Sequence, residues 1–205
     1  MFNSIKDIIN EAKLGKPFIM TDDENRENEG DIFIPAQFIS EDIIKFMMLS
    51  ARGLICVAID DNIANKFDLK LHPRRNIDHH ETAFTYSIDS KKGGSTGISA
   101  ADKVNTIKRL TSEKSTIEDF KVPGHIFPIL AKKNGVLERR GHTEAAIDIA
   151  KLAKLKLCVV ICEIINKDGT MAKINDLIKF SKKYNMKISS VEMLVQYITK
   201  HKADN

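Results

Sequence analysis

Six acidic side chains crowd around one arginine in the ten residues Asp22-Asp23-Glu24-Asn25-Arg26-Glu27-Asn28-Glu29-Gly30-Asp31. Carboxylates packed this densely repel one another unless a cation sits among them, and hard oxygen ligands suit Mg2+ or Mn2+ rather than zinc. In an extended backbone Glu27, Glu29 and Asp31 would point one way and Arg26, Asn28 and Gly30 the other, because side chains alternate along a strand. The competing reading is a solvated, charged hairpin tip, so the decision falls to the rest of the chain.

Four further stretches carry reactive or anion-binding groups. Gly93-Gly94-Ser95-Thr96-Gly97-Ile98-Ser99-Ala100-Ala101-Asp102 is a glycine-rich turn opening a helix capped by Ser99, a geometry that can offer backbone N–H groups to a phosphate but is not specific alone. Pro123-Gly124-His125-Ile126-Phe127-Pro128 brackets a histidine between two prolines, which fixes the local backbone. Arg139-Arg140-Gly141-His142-Thr143-Glu144 brings arginine, histidine and threonine to a second helix N-terminus, a more specific anion-binding arrangement. Glu163 interrupts Leu157–Ile165, the most apolar run of the chain. A carboxylate there must be paired, protonated or catalytic, unless it ends the strand and faces water. The adjacent His79-His80 pair falls in a polar stretch and reads as surface groups rather than metal ligands.

The elements that must hold these groups follow from apolar spacing and punctuation. Helical spacing of Phe2, Ile5, Ile8, Ile9 and Ala12 ends at Gly15. Short apolar runs around Ile19 and Ile32 flank the acidic segment as strands, Ser40 caps a helix, and Leu54–Ile59 reads as a buried strand. Residues 60–82 read as an irregular excursion and Ala83–Ile88 as a half-exposed strand. Leu157–Ile165 is predicted to be central, Asn175 to cap a helix running to Tyr184, Lys187–Ser189 to form a short strand, and Ser190 to begin the last helix. Strands and helices interleave throughout, which predicts an α/β (or α+β) fold: a three-layer single domain with a mixed β-sheet flanked by helices.

Composition narrows the classes. The 205 residues carry 42% hydrophobic and 29% charged side chains, ordinary for a globular domain, and a net charge of +4. Basic residues are dispersed, aromatics make up 6% and tryptophan is absent, so no nucleic-acid partner is expected. No apolar run approaches the ~20 residues that span a bilayer, and Met1-Phe2-Asn3-Ser4 does not open a signal peptide. A cytoplasmic location with no membrane partner is the expectation. Cys56, Cys158 and Cys162 lack paired metal-ligand spacing and are expected to be reduced.

Taken together, the acidic run, Ser95–Asp102, Pro123–Pro128, Gly141–Ala145, and Cys162-Glu163 with Asp168-Gly169-Thr170-Met171-Ala172 resemble the 3,4-dihydroxy-2-butanone 4-phosphate synthase family of riboflavin biosynthesis, in order and from about residue 5 to residue 198. The resemblance implies conversion of D-ribulose 5-phosphate to L-3,4-dihydroxy-2-butanone 4-phosphate and formate, with Mg2+ (or Mn2+), two ions per active site, in a homodimer with shared sites. Position by position it implies Glu27 and His142 as metal ligands. It implies substrate contacts from Arg26, Glu27, Asp31, Arg139 and Thr143, joined by Arg140, Gly141, His142 and Glu163, and a phosphate pocket including Ser95 and Thr96. His125 and Glu163 match the acid and base groups, and Glu29 supports the acidic loop. The chain is read as one synthase domain without the fused GTP cyclohydrolase II domain that some relatives carry.

Two departures stand out: Val122 precedes Pro123 where many relatives have arginine, and Arg140 occupies a position often held by glycine. Neither replaces a residue assigned to chemistry. The rival readings are another metal-dependent pentose-phosphate isomerase or aldolase, and a non-catalytic binding protein on the same fold.

Overall fold

Helix α1 (Ile5–Lys13) forms where the sequence supplies both a cap and an apolar stripe. Ser4 Oγ accepts the Asp7 N–H at 3.1 Å and Asp7 Oδ2 accepts the Ser4 N–H at 3.2 Å, a reciprocal capping box. Ile5, Ile8, Ile9 and Ala12 then fall on one buried face. The computed structural model describes residues 2–23, 25–73 and 82–203, so Glu24 and the His79-His80 pair lie outside the described residues.

The remaining elements are β1 (Phe18–Thr21), β2 (Gly30–Pro35), α2 (Glu41–Phe46) running into a π turn at Met47–Ala51, β3 (Cys56–Ile59), α3 (Asp61–Lys66), β4 (Ile88–Ser90), α4 (Ala100–Thr111), β5 (Phe120–Leu130), α5 (His142–Ala153), β6 (Cys158–Glu163), α6 (Ile174–Tyr184), β7 (Ile188–Ser190) and α7 (Val191–Ala203). One seven-stranded sheet has the order β4-β5-β3-β6-β2-β1-β7. β3/β5 and β1/β7 are parallel and the other pairs antiparallel, so the sheet is mixed.

Period-two alternation divides each central strand between two cores. On β6, Cys158, Val160 and Cys162 pack with the layer of α2, α4 and α6, while Val159 and Ile161 face α1, α5 and α7. Both faces are covered, which is why these strands read as unbroken apolar runs. Each fully buried Ile or Phe contributes about 1.5–3 kcal/mol relative to exposure, and Ile32, Phe33 and Ile34 on β2 are all sealed. The three-layer α/β architecture expected from the sequence is the one observed, and β6 is central.

Three local expectations change, and one strand appears that was not foreseen. The stretch 60–82 contains α3, started by Asp60, whose Oδ1 accepts the Ile63 N–H at 3.1 Å. Ala83–Ile88 makes only isolated bridges at Phe84 and Thr85, and the strand begins at Ile88. The two prolines around His125 sit inside an 11-residue strand, β5: Pro123 falls in its largely exposed first half, whereas Pro128 is buried in the parallel ladder opposite Val57 of β3. Helix α6 is capped two residues earlier than Asn175 suggests: Lys173 is the N-cap, and Asp176 Oδ2 accepts its N–H at 3.3 Å.

Candidate functional site

β2 and β6 end side by side, and Asp31 is the register partner of Glu163. Above them the acidic loop, the N-terminus of α5 and the segment at Thr82–Phe84 enclose a cavity of about 190 Å3, lined among others by Arg26, Glu27, Glu29, Asp31, His142 and Glu163.

The acidic loop is a compact turn, not an extended ribbon. Asp22, buried at the end of β1, accepts three donors: Arg26 Nη1 at 2.7 Å and the Glu27 N–H at 3.2 Å on Oδ2, and the Glu29 N–H at 2.8 Å on Oδ1. Asp23 adds an Asx turn, its Oδ1 accepting the Asn25 N–H at 2.7 Å, and Asn28 takes a left-handed conformation with φ 54°. Lys173 Nζ holds the Glu27 carbonyl from outside at 3.0 Å. Glu27, Glu29 and Asp31 nevertheless all reach the cavity, as alternation predicts, but Arg26, which alternation puts on the opposite face, lines it too.

His142 opens α5 and is buried, with the Phe33 ring edge-on at 6.2 Å. Burial pushes its imidazolium down to about 4, which leaves a neutral ring, the form that binds metals. Its Nδ1 lies 3.6 Å from Asp31 Oδ1, too long for a hydrogen bond, and burial raises the Asp31 carboxyl well above its usual range. His142 Nε2 and Asp31 Oδ1 are buried polar atoms without a hydrogen-bond partner among the described residues. Native proteins rarely leave such atoms bare. Asp22, Glu27 and His142 each bring a donor atom within 4.8 Å of the others. Two carboxylates and a neutral imidazole fit a divalent cation.

The flanking charges are braced. Arg26 Nη1 also bonds Glu27 Oε2 at 2.6 Å. Arg139 donates to Glu144 Oε2 at 2.6 Å and Thr82 Oγ1 at 2.8 Å, while Glu144 Oε1 accepts the Lys132 N–H at 3.0 Å. Thr143 lines the cavity beside His142, and Gly141 is the N-cap of α5. Glu163 Oε2 accepts the Leu54 N–H at 2.8 Å, and burial raises its carboxyl. It stands at the strand's end but turns into the cavity rather than to bulk water. Glu29 is likewise raised, by burial and then by the Glu27 charge.

The other predicted residues lie elsewhere. Arg140 turns outward and pairs with Glu192 of α7 at 2.6 Å, so it adds no charge to the cavity wall. His125, Ser95 and Thr96 form a separate cluster at the β4–β5 end of the sheet. His125 Nδ1 lies 2.7 Å from Asp89 Oδ2. Ser95 donates its N–H and Oγ–H to Asp102 at 2.7 and 2.9 Å, and these bonds, the backbone one foremost, hold the Asp102 carboxyl down at about 2. Thr96 is exposed. Sequence reasoning assigned no role of its own to Asp22 behind the acidic loop, to Thr82 or Cys56 in the cavity wall, or to Asp89 behind His125. For Asp22 a signal existed, an aspartate at a strand end followed by a turn; the others are brought in by tertiary pairing alone. Cys56, Cys158 and Cys162 are buried free thiols whose ionisation burial pushes upward.

What the fold and the cavity define is an α/β domain whose pocket suits a hard divalent cation. Residues 6–197 match the 3,4-dihydroxy-2-butanone 4-phosphate synthase family, and the chain belongs to that family. Its curated relatives include the 3,4-dihydroxy-2-butanone 4-phosphate synthase of Campylobacter jejuni, 44% identical over 98% of this chain and 59% of the relative, and the riboflavin biosynthesis protein RibBA of Bacillus cereus, 47% identical over 98% of this chain and 50% of the relative. The chain thus spans about half the length of the curated relatives it matches. Among solved structures, a 3,4-dihydroxy-2-butanone 4-phosphate synthase in complex with two magnesium ions superimposes with a TM-score of 0.92 at 31% identity, covering 97% of this chain and 98% of that one. The two-domain synthase RibBX of A. baumannii matches with a TM-score of 0.91 at 38% identity, over 95% of this chain and 57% of that one.

Proposed function

We propose that this chain converts D-ribulose 5-phosphate to L-3,4-dihydroxy-2-butanone 4-phosphate and formate in riboflavin biosynthesis, as one synthase domain acting as a cytoplasmic homodimer. The observation that carries the reading is the buried His142 ring, whose Nε2 has no hydrogen-bond partner among the described residues and which brings a ligand atom within 4.8 Å of those of Asp22 and Glu27. Glu27 and His142 would hold Mg2+ or Mn2+, two ions per site, the second needing the remaining acids of the same wall. When bound, the cation supplies the positive charge that makes a proton next to a ketone removable.

The chain's own side chains do the rest. Arg26, Arg139 and Thr143 orient the anionic sugar, and Asp31 and Glu29 shape the wall beneath it. Glu163, with a carboxyl raised by burial, exchanges a proton with carbon or hydroxyl. His125 serves as the second acid–base group and Ser95 and Thr96 take the phosphate. These three lie outside the cavity of their own chain, which favours their delivery from a second copy. Exposed Ile98 and Val122 near His125 supply apolar surface for that contact. Five carbons enter and four leave with the phosphate, the fifth departing as formic acid, so the reaction needs no oxidant.

Incubation of the protein with ribulose 5-phosphate and Mg2+, with formate measured by a coupled dehydrogenase, tests the reading. One formate per substrate consumed is expected. Pentose-phosphate interconversion without formate would assign an isomerase instead, and smaller aldehyde fragments an aldolase.

A further inference from the structure

The Asp89 side chain on β4 is 2% exposed, yet both of its oxygens are spent on one residue: Oδ1 accepts the His125 N–H at 2.9 Å and Oδ2 lies 2.7 Å from His125 Nδ1. A purely architectural role explains half of this. The β4/β5 register shifts between Ile88 and Asp89, and a carboxylate oxygen can satisfy the N–H left over at such an irregularity. It does not explain the second oxygen, which grips the ring. Lys103 Nζ also donates to the His125 carbonyl at 3.0 Å, so the residue is fixed at its N–H, its C=O and its imidazole.

The glycine-rich turn is fitted to this pair. A Cβ on Gly97 would stand 2.1 Å from Asp89 Oδ2 and 2.6 Å from His125 Nδ1, and its φ of +88° belongs to glycine. The backbone two residues beyond Ser95 therefore rests directly on the Asp89–His125 contact. The ring itself remains 45% exposed, with Nδ1 committed inward.

We propose that Asp89 is a positioning residue: it holds His125 in the Nδ1–H tautomer, makes Nε2 the atom that transfers protons, and locks the ring to the Ser95–Gly97 turn so that acid–base group and phosphate pocket move as one unit. A carboxylate behind a histidine fixes ring orientation and stabilises the imidazolium formed in turnover. The inference rests on the reading of His125 as an acid–base group.

The test joins kinetics to a direct view of the ring. In 15N-histidine-labelled protein, with the His125 signals assigned by their loss in His125→Gln, the neutral ring should show a protonated Nδ1 and a bare Nε2. The opposite tautomer in the wild-type protein would overturn the proposal without any Asp89 variant. Asp89→Asn should lower kcat for formate release about 100-fold or more, leave KM for ribulose 5-phosphate within about threefold and Mn2+ affinity unchanged, and disturb the His125 tautomer. In a His125→Ala background it should cost nothing further, since the two act through one ring. Full formate release by His125→Ala would remove the underlying reading. An impaired His125→Ala beside an Asp89→Asn enzyme with normal kcat, or with only KM raised, would sink the positioning role alone.

Discussion

Asp31 stands directly across from Glu163, carboxylate opposite carboxylate on neighbouring antiparallel strands at the floor of the cavity. Facing like charges destabilise a sheet unless one is protonated or a cation lies between them. Burial raises both carboxyls, and the Glu163 charge adds to the rise of Asp31. The fold thus concentrates acid where it is least comfortable, which is the arrangement a bound dication relieves.

A stability signature follows. A carboxyl raised above its unfolded value, about 3.9 for Asp and 4.3 for Glu, costs nothing below that value, and the cost grows as pH climbs through the folded one. In EDTA the melting temperature should rise as pH falls from 8 toward 6.5, below which the buried neutral His142, held down at about 4, opposes the gain. Asp31→Asn should flatten that slope and raise the melting temperature at pH 8 by a few degrees. Added Mg2+ should stabilise the wild type more at pH 8 than at pH 6. A lower melting temperature for Asp31→Asn at pH 8 would show that the ionised carboxylate supports the fold.

Metal binding separates ligands from their supports. Glu27→Gln and His142→Ala should each weaken Mn2+ binding, read by calorimetry, about 100-fold or more, and formate release with it. Asp22→Asn should weaken it about tenfold, in the range of lost supporting contacts, because Asp22 anchors the loop through Arg26, Glu27 and Glu29. Equal loss in all three variants would make Asp22 a ligand in its own right.

Much of this was legible along the chain, and the failures share a cause. Ser40 and Ser99 announce their helices because capping is local, as is the apolar stripe of α1. Cys158–Glu163 reads as central because burial on both faces leaves no polar alternation. By contrast, Pro123 and Pro128 read only as fixing the backbone around His125, and the 11-residue strand that contains both gave no signal of its own. The acidic loop was found by charge density, but its turn depends on Asp22 gathering donors four to seven residues away. The separation of His125 from Glu163 depends on β3 lying between β5 and β6, a fact of strand order that spacing does not encode.

Gly53 offers a way to move Glu163 without replacing its carboxyl. A Cβ there would come within 2.3 Å of the Glu163 carbonyl oxygen and 2.6 Å of Oε2, so Gly53→Ala must displace the strand end and its side chain. Overpacking of this kind costs about 1–3 kcal/mol. Formate release should fall at least tenfold in kcat, while Mn2+ affinity stays within about threefold, because Glu27 and His142 are held by other elements. Unchanged kcat in a folded Gly53→Ala enzyme would show that the placement of Glu163 is not critical.

Subunit exchange tests the proposed sharing of sites. If one site takes His142 from one chain and His125 from a second copy, His125→Ala and His142→Ala homodimers are both inactive, since each site lacks one group. In a mixed dimer, one site receives both intact histidines and the other receives neither. Random pairing of equal amounts makes half the dimers mixed with one of two sites alive, so activity should recover to about a quarter of wild type. A site built within a single chain leaves every site missing a histidine and predicts no recovery. Formate release after denaturant-assisted exchange, with mixed dimers verified by mass spectrometry, distinguishes the two. Recovery would also explain why His125 rests against Asp89 at an exposed sheet end, away from the cavity that Glu27, His142 and Glu163 share.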